Sequence, residues 1–526
     1  MATFSRPGVF IEEVQLPQTI ELADSGNAIA AFIGAAAQGP TSVPVLLSSW
    51  TQFTKTFGSL QDAYPLTWAA YNFFANGGRQ LYVKRVVGSG SATASYILTD
   101  SSTNALNTIG VYAANPGSWG NTLAVQVRPA GVSTRFGLAV YGAPIIAGNS
   151  TSNILEQYSD LSMDNTDPRY FASVINTSSS YIYVTDLSSA SVAPTNMPVT
   201  GTTLYALGTS TAGADGSTPG TSAYQAALSS FDAVNNPLVF NIPDAAYIYN
   251  VSTGSGTDRS NSITVQANLV AYAEGRGDSF TIIDVPEGLS ASDAQTYVND
   301  TATAFAGSST GSSTAAYYPW LLIPDTLKST PGATRLQAPG AAMAGIYLST
   351  DASRGVFKTP AGLNTRVALA VSTEHQFTNA ELDTLNTSTH PVNAIRQVPG
   401  AGIVVMGGRT LDNTPGHRYV NIRRSLFYIE KELKDRTQFA VFENNDSRLW
   451  NQIQIGCSQF LSTYWQQGGL RGATVTDAFY VKCDSTTTSG ADIMNGRVNI
   501  EIGVALEYPA EFVVIKLGQI TGSATA

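Results

Sequence analysis

Three observations predict a multidomain chain that combines α/β and α+β architecture, with a β-sandwich inserted into the α/β layer. Strand-like and helix-like segments alternate before residue 88 and again after residue 237. Between them lies a long stretch of short alternating strands set among Ser, Thr, Gly and Pro. Near the end, two long amphipathic helices precede further strands. A chain of 526 residues is also too long for one hydrophobic core, so several domains are expected.

The elements follow in order. Pro7 to Val14 is short, extended and apolar at alternate positions, and Gln15 to Gly26 reads as a linker. Ala28 to Gly34 and Val43 to Leu47 are strand-like, and Trp50 to Phe57 is a short helix stopped by Gly58. Pro65 opens a second helix with Trp68, Tyr71, Phe74 and Ala75 on one face, closed by Asn76-Gly77-Gly78. Leu81 to Val87 returns as a strand, which gives the alternation of an α/β layer. Residues 88–216 contain Leu123 to Val127 and Tyr181 to Val184 among turn formers, the pattern of a small β-sandwich.

Alternation resumes with the strand Leu238 to Ile242, a helix carrying Val265, Leu269 and Tyr272, and the strand Phe280 to Asp284. A helix from Ser292 to Phe305 and the strand Trp320 to Ile323 complete the layer, with residues 307–316 as a Gly/Ser/Thr-rich surface loop. Glu381 to Leu385 is helical and Ile403 to Met406 is a strand. Ile422, Leu426, Ile429 and Leu433 then mark one long helix. A second long helix is capped by Asp446, and Gly468-Gly469 ends it. The expected divisions are an arm and linker over 1–26, the α/β domain over 27–87 and 217–370, and the insertion over 88–216. A carboxy-terminal domain over 371–510 and an arm over 511–526 follow.

Composition narrows function. Charged residues make up 13% of the chain, about half the usual share, so the surface is covered by neutral polar residues. A net charge of -10 opposes binding to phosphate backbones. Cys457 and Cys483 lack metal-ligand spacing and are expected to be reduced. No basic-then-apolar leader pattern and no apolar run of about 20 residues is present, so no membrane insertion is expected.

Chemistry-bearing motifs are sparse. Gly220-Thr221-Ser222-Ala223 looks like the serine motif of subtilisin-type proteases. However, His375, His390 and His417 all follow Ser222, the reverse of the order Asp, His, Ser. Asp160, Asp164 and Asp167 do not fit a calcium loop, and Asx turns explain them better. Gly400-Ala401-Gly402 precedes a strand, whereas a dinucleotide fingerprint follows one, and no Gly-Lys dipeptide supplies a phosphate loop. No catalytic residue, cofactor or metal ligand is expected. Between Arg418 and Arg436, six basic residues face three acidic ones. That run is either a solvated helix face with i,i+4 pairs such as Glu430–Lys434 or a docking face for an acidic partner.

The chain tips carry the remaining signal. Val498, Ile500, Ile502, Val504 and Leu506 alternate with polar or small residues, Pro509 interrupts, and Phe512 to Leu517 resumes an extended run. Terminal strands leave unpaired N–H and C=O groups. Either they pair inside their own fold or they are donated to neighbouring copies to build a polymer.

Six stretches resemble the contractile-tail sheath proteins of phages and related injection machines. They are Arg6 to Glu13, Asn115 to Asn121, Arg354 to Gly362, Asn393 to Arg396, Gly407 to Leu411 and Tyr419 to Arg424, in order along the chain. Phe357 stands where the family's motif has Trp. The resemblance implies an α/β domain of subtilisin-like fold without protease activity, an outer inserted β-sandwich and an inner carboxy-terminal domain facing a tail tube. It also implies strand arms that join neighbours, here Val9, Phe10 and Ile11 with Phe512, Val513, Val514, Ile515 and Leu517. Arg423, Arg424, Lys431 and Lys434 are the expected tube-facing residues. The implied partners are further copies in stacked rings, a tail tube protein, and baseplate and terminator proteins. The implied setting is a virion tail assembled in a host cytoplasm. A serine hydrolase using Ser222 and a non-contractile adhesin-like binding protein are the rival readings.

Overall fold

The strands on either side of the insertion meet in one eight-stranded sheet. The computed structural model describes residues 28–142, 153–189, 195–249, 255–307 and 309–511. The arm residues Val9, Phe10, Ile11, Phe512, Val513, Val514, Ile515 and Leu517, and the linker 15–26, lie outside the described residues.

Strands β1 (Ile29–Ala35), β2 (Val45–Leu47) and β3 (Leu81–Val86) enclose helices α1 (Trp50–Phe57) and α2 (Pro65–Ala75). The insertion then supplies β4 (Ser95–Thr99), β5 (Asn107–Ala113), β6 (Ala124–Pro129), β7 (Phe136–Tyr141), β8 (Ile154–Leu161), α3 (Phe171–Ser178), β9 (Ile182–Asp186) and β10 (Tyr205–Ala206). The α/β layer resumes with α4 (Thr221–Leu228), β11 (Leu238–Asn241), α5 (Ala245–Ile248), α6 (Gly256–Arg276), β12 (Phe280–Asp284), α7 (Ala291–Phe305) and β13 (Thr314–Tyr318). Next come β14 (Leu321–Pro324), β15 (Thr334–Gln337), α8 (Gly340–Arg354), β16 (Ser372–Thr373), α9 (Asn379–Thr387), β17 (Val392–Val398) and β18 (Gly402–Val405). The end of the chain forms α10 (Val420–Thr437), α11 (Ser447–Gln466), α12 (Val475–Ala478), β19 (Phe479–Lys482), α13 (Gly490–Met494) and β20 (Glu501–Val504).

The large sheet runs β18-β17-β13-β12-β11-β1-β3-β2, with its six central strands parallel. Parallel strands need both faces covered, and β1 shows why its sequence is apolar throughout. Ala30 and Phe32 face a core built with Phe53, Trp68, Phe73 and Tyr347. Ile29, Ala31 and Ile33 face the opposite core with Tyr224, Phe231 and Leu269.

Three expectations change here. Residues 314–316 begin β13, fully buried at the centre of the sheet, instead of a surface loop. Thr-Ala-Ala-Tyr-Tyr has no alternation to reveal it, because both faces of the strand are covered. The Trp320 to Ile323 segment leaves the large sheet and pairs as β14 between β15 and β16. The boundary at 371 also moves, since β17 and β18 are strands of the large sheet. The helices and ribbon after Val420 have their own cores around Phe460, Leu461 and Tyr464 and around Ile453 and Cys457.

The insertion is a two-sheet unit. One sheet is β4-β5-β9, the other β10-β6-β7-β8, and Val111, Val125, Leu138 and Val184 share the core between them. Its two chain crossings form a neck: Ser217 N–H donates to Ser89 O at 2.9 Å, and Ala92 pairs with Ala214. A Cβ on Gly88 would stand 1.8 Å from the Ser217 carbonyl oxygen, so this neck requires glycine there.

Two carboxylates are buried at the carboxyl ends of the central strands. Asp244 accepts from Ala35 N–H at 2.6 Å and from the Tyr224 hydroxyl at 2.8 Å. Asp284 accepts from Asn241 Nδ2 at 2.9 Å and from Gly340 N–H at 2.7 Å. Burial outweighs these bonds and pushes each carboxyl from its ordinary 3.8 up to about 6. The folded state therefore holds these protons more tightly than the unfolded chain. The stability they contribute is full below 3.8 and is lost as pH rises through about 6. Asp244→Asn is expected to remove one group's contribution, on the order of 3 kcal/mol, from the difference between pH 7 and pH 4. Denaturant titrations of both proteins at the two pH values read it. An unchanged difference would show that Asp244 is not protonated in this range.

Candidate functional site

Four of the sequence motifs converge on the last described residues. Asn393 in β17 is 3% exposed, and its side chain binds both backbone groups of Arg409: Nδ2 donates to Arg409 O at 2.8 Å, and Oδ1 accepts from Arg409 N–H at 2.8 Å. So fixed, Arg409 projects its guanidinium onto Glu511, with Nε to Oε1 at 2.8 Å and Nη2 to Oε2 at 2.7 Å. Its third arm donates to Asn386 O at 2.7 Å. This two-bond fork is the strong geometry for holding a carboxylate. The Tyr419 hydroxyl adds a third bond to Glu511 at 3.0 Å, and burial followed by that carboxylate raises the phenol's pKa.

Asn421, at the start of α10, ties the same segment a turn earlier. Its Nδ2 donates to Glu507 O and to Phe357 O, each at 3.0 Å, while Oδ1 accepts from Thr359 at 3.0 Å. Gly408 lets these pieces close, because a Cβ there would lie 2.3 Å from Thr359 Cγ2. Residues 507–511 thus lie along a cleft of about 440 Å³ whose walls include Phe357, Lys358, Met406, Tyr419 and Tyr508. Each motif looked separate in the sequence; together they form a clasp on residues 507–511.

Beside the clasp, β19 and β20 make an antiparallel ribbon in the register Phe479↔Val504 to Lys482↔Glu501. It rests on α11 through Phe460, Leu461 and Ile453. Among the described residues no third strand joins this ribbon, apart from a single bridge between Leu470 and Leu506 beyond its end. The alternation read from Val498 to Leu506 is therefore realised as strand only over Glu501–Val504.

The basic residues of α10 separate into different roles. Arg424 is not available to a partner: it is 4% exposed and ion-paired with Asp351 of α8. Arg423 is half-buried, with its guanidinium 4.8 Å from the Phe427 ring centre. Lys431 pairs with Asp435 at 2.9 Å, and Glu432 with Arg436 at 3.1 Å; these replace the expected Glu430–Lys434 pair. Of the four, Lys434 alone is exposed.

The other sequence motifs have local partners. Ser222 is exposed in the first turn of α4, whereas His375 bonds Glu381, His390 bonds Leu411 O and His417 bonds Asp412. Asp164 and Asp167 close Asx turns onto Thr166 and Arg169, and Arg135 bridges Asp160 and Asp167 at 2.7 Å each. Gly400 and Ala401 lie in the turn between β17 and β18, and Gly402 opens β18. Cys457 and Cys483 are free and buried. No helix among the described residues is long and apolar enough to cross a membrane.

Comparison with known proteins falls on the same region. Residues 412–518 match the family model for the phage tail sheath C-terminal domain. No curated protein matches the sequence. Among solved structures, the sheath of an extracellular contractile injection system in its contracted state superposes with a TM-score of 0.55 at 20% identity, covering 99% of both chains. A chain of the anti-feeding prophage baseplate in its contracted state gives 0.60 at 19% identity, covering 98% of this chain and 99% of that one. A sheath tail protein from Listeria innocua gives 0.59 at 12% identity, covering 91% and 95%. The carboxy-terminal end of this chain thus matches the phage tail sheath C-terminal domain, and its fold over nearly the full length is that of solved contractile sheath proteins.

Proposed function

We propose that the chain is the structural subunit of a contractile sheath, polymerising in stacked rings around a tail tube and shortening to drive that tube through an envelope. The observation that carries this reading is the clasp: residues 507–511 are pinned beside a ribbon that no third strand joins among the described residues. An arm rooted so firmly transmits force to whatever its far end grips. Phe512, Val513, Val514, Ile515 and Leu517 are the donated strand at one tip and Val9, Phe10 and Ile11 at the other. The open ribbon edges of neighbours are their acceptors. Tube, baseplate and terminator proteins are the further partners, and exposed Lys434 is the first candidate of the four for a tube-facing charge. A subtilisin-like origin of the α/β domain fits its parallel sheet covered by helices on both faces.

Contraction needs no bound fuel if energy is stored at assembly. About 400 Å² of new apolar burial per subunit contributes on the order of 10 kcal/mol. Removing residues 512–526 is expected to leave a folded subunit that no longer forms tubes, as seen by electron microscopy. Arg409→Ala is expected to weaken assembly while the subunit still folds. Long tubes from the truncated protein would overturn strand donation.

A further inference from the structure

The two cysteines of the chain fall in one core. Cys457 lies within α11 and Cys483 directly follows β19, yet both pack with Leu449, Trp450 and Ile453 in a single cluster, 1% and 2% exposed. The two elements set this up. On α11, Trp450, Ile453 and Cys457 recur at helical spacing on the buried face, which Phe460 and Leu461 continue. From β19, Phe479, Val481 and then Cys483 enter these cores at alternate positions, the period of a strand. Gln454 Nε2 donates to Val481 O at 3.2 Å, so the ribbon backbone passes α11 one turn before Cys457.

Both thiols are free, and no cluster of metal-ligating residues surrounds them among the described residues. Burial first, and then the nearness of Cys483, push the Cys457 thiol up to about 11, while a positive field from Arg436 opposes the rise. Burial and then Asp484 raise the Cys483 thiol. Each therefore stays protonated at neutral pH, where its reactions are slow, and a reducing compartment keeps the pair as thiols.

We infer that Cys457 and Cys483 form an intrachain disulfide when the protein enters oxidising surroundings, with hydrogen peroxide as the oxidant. One thiolate attacks a peroxide oxygen, breaking the O–O bond to give a sulfenic acid and, with the thiol's proton, water. The second sulfur then attacks the sulfenic sulfur, the S–S bond forms and a second water leaves. The two electrons taken from the sulfurs reduce the peroxide. The bond ties α11 to the end of β19 and closes the loop that carries α12 and β19, which restricts the unfolded chain. It lies within one subunit, so it goes beyond the assembly reading and stands or falls independently of it.

The full chain is exposed to hydrogen peroxide at mildly alkaline pH, unfolded in denaturant with iodoacetamide, and digested without reductant. Mass spectrometry is expected to find one linked pair of peptides joining Cys457 to Cys483, lighter by two hydrogens than the separate peptides, and reductant should restore both thiols. The linked protein should melt about 5 °C above its reduced form. Cys483→Ala, treated alike, corrects for oxidation elsewhere and should show no such rise. Two alkylated thiols, a sulfinic or sulfonic acid at either position without a linked pair, or links only between separate chains would overturn the inference. A linked pair that fails to raise the melting temperature would mean that the native fold is distorted to make the bond, and overturns it as well.

Discussion

Replacing Arg424 with alanine is expected to destabilise the subunit by about 3–5 kcal/mol. The Arg424 side chain is 3% exposed and that of Asp351 9%, and they meet through both arms of the guanidinium, with Nη1 to Oδ1 at 3.0 Å. The guanidinium also lies 4.9 Å from the Tyr347 ring centre, and the Tyr347 and Tyr317 hydroxyls are 2.6 Å apart beneath it. Burial raises the Asp351 pKa even with arginine beside it, which measures how poorly this site tolerates a lone carboxylate. The pair joins the first turns of α10 to the last turn of α8, so it fastens the carboxy-terminal region to the α/β layer. Removing one partner leaves the other charged and dry. Removing both in Arg424→Met with Asp351→Leu is expected to be milder than either single change, since the desolvation cost disappears with the charges. Urea unfolding of the three variants tests this. Equal losses in the single and double variants would mean that packing, not charge, holds the joint.

The misreading of Arg424 shows what a sequence conceals. Arg424 stands in the basic run between Arg418 and Arg436, and a run of that kind reads as a solvated or docking face. In the fold Asn421, Arg424 and Ser425 are buried, because the clasp, α8 and Tyr464 supply partners from far along the chain. Long-range satisfaction of polar groups leaves no periodic trace. Strands such as β1, β3 and β12 were legible because apolar runs bounded by turn formers have one economical use in a layered protein. β13 was not, since Thr314 and the two alanines say little until their neighbours are known. The clasp lies between these cases. Its residues could be singled out as short motifs, but only tertiary geometry reveals that Arg409, Tyr419 and Asn421 hold the same five residues. The last strand ends at Val504, ahead of Pro509, so residues 507–511 lie outside the ribbon and are held by the clasp.

The insertion has its own fastening, and its loss is expected to be nearly as damaging. Arg85, at the end of β3, is 1% exposed and donates to four backbone carbonyls: Ala36 at 2.7 Å, Ala37 at 3.1 Å, Gly39 at 2.9 Å and Pro116 at 2.8 Å. The first three belong to the turn after β1, and the fourth to the Asn-Pro-Gly stretch inside the insertion. Asp215, on the returning chain, binds Ser118 N–H at 2.8 Å and supplies a favourable field to Arg85. Burial still lowers the arginine pKa to about 10, and the four groups its guanidinium bonds are neutral backbone carbonyls. Arg85→Leu fills similar space but leaves buried carbonyls without donors, each costing about 1–3 kcal/mol. A loss on the order of 4 kcal/mol is expected, concentrated at the neck. Lysine, with a single nitrogen, cannot reach four carbonyls and should recover only part of it. Hydrogen exchange distinguishes a local from a global effect. Protection should fall first in residues 87–92 and 213–218, where the two crossings run side by side. Uniform loss across the large sheet would instead make Arg85 a core residue of the α/β layer, with no special part in holding the insertion.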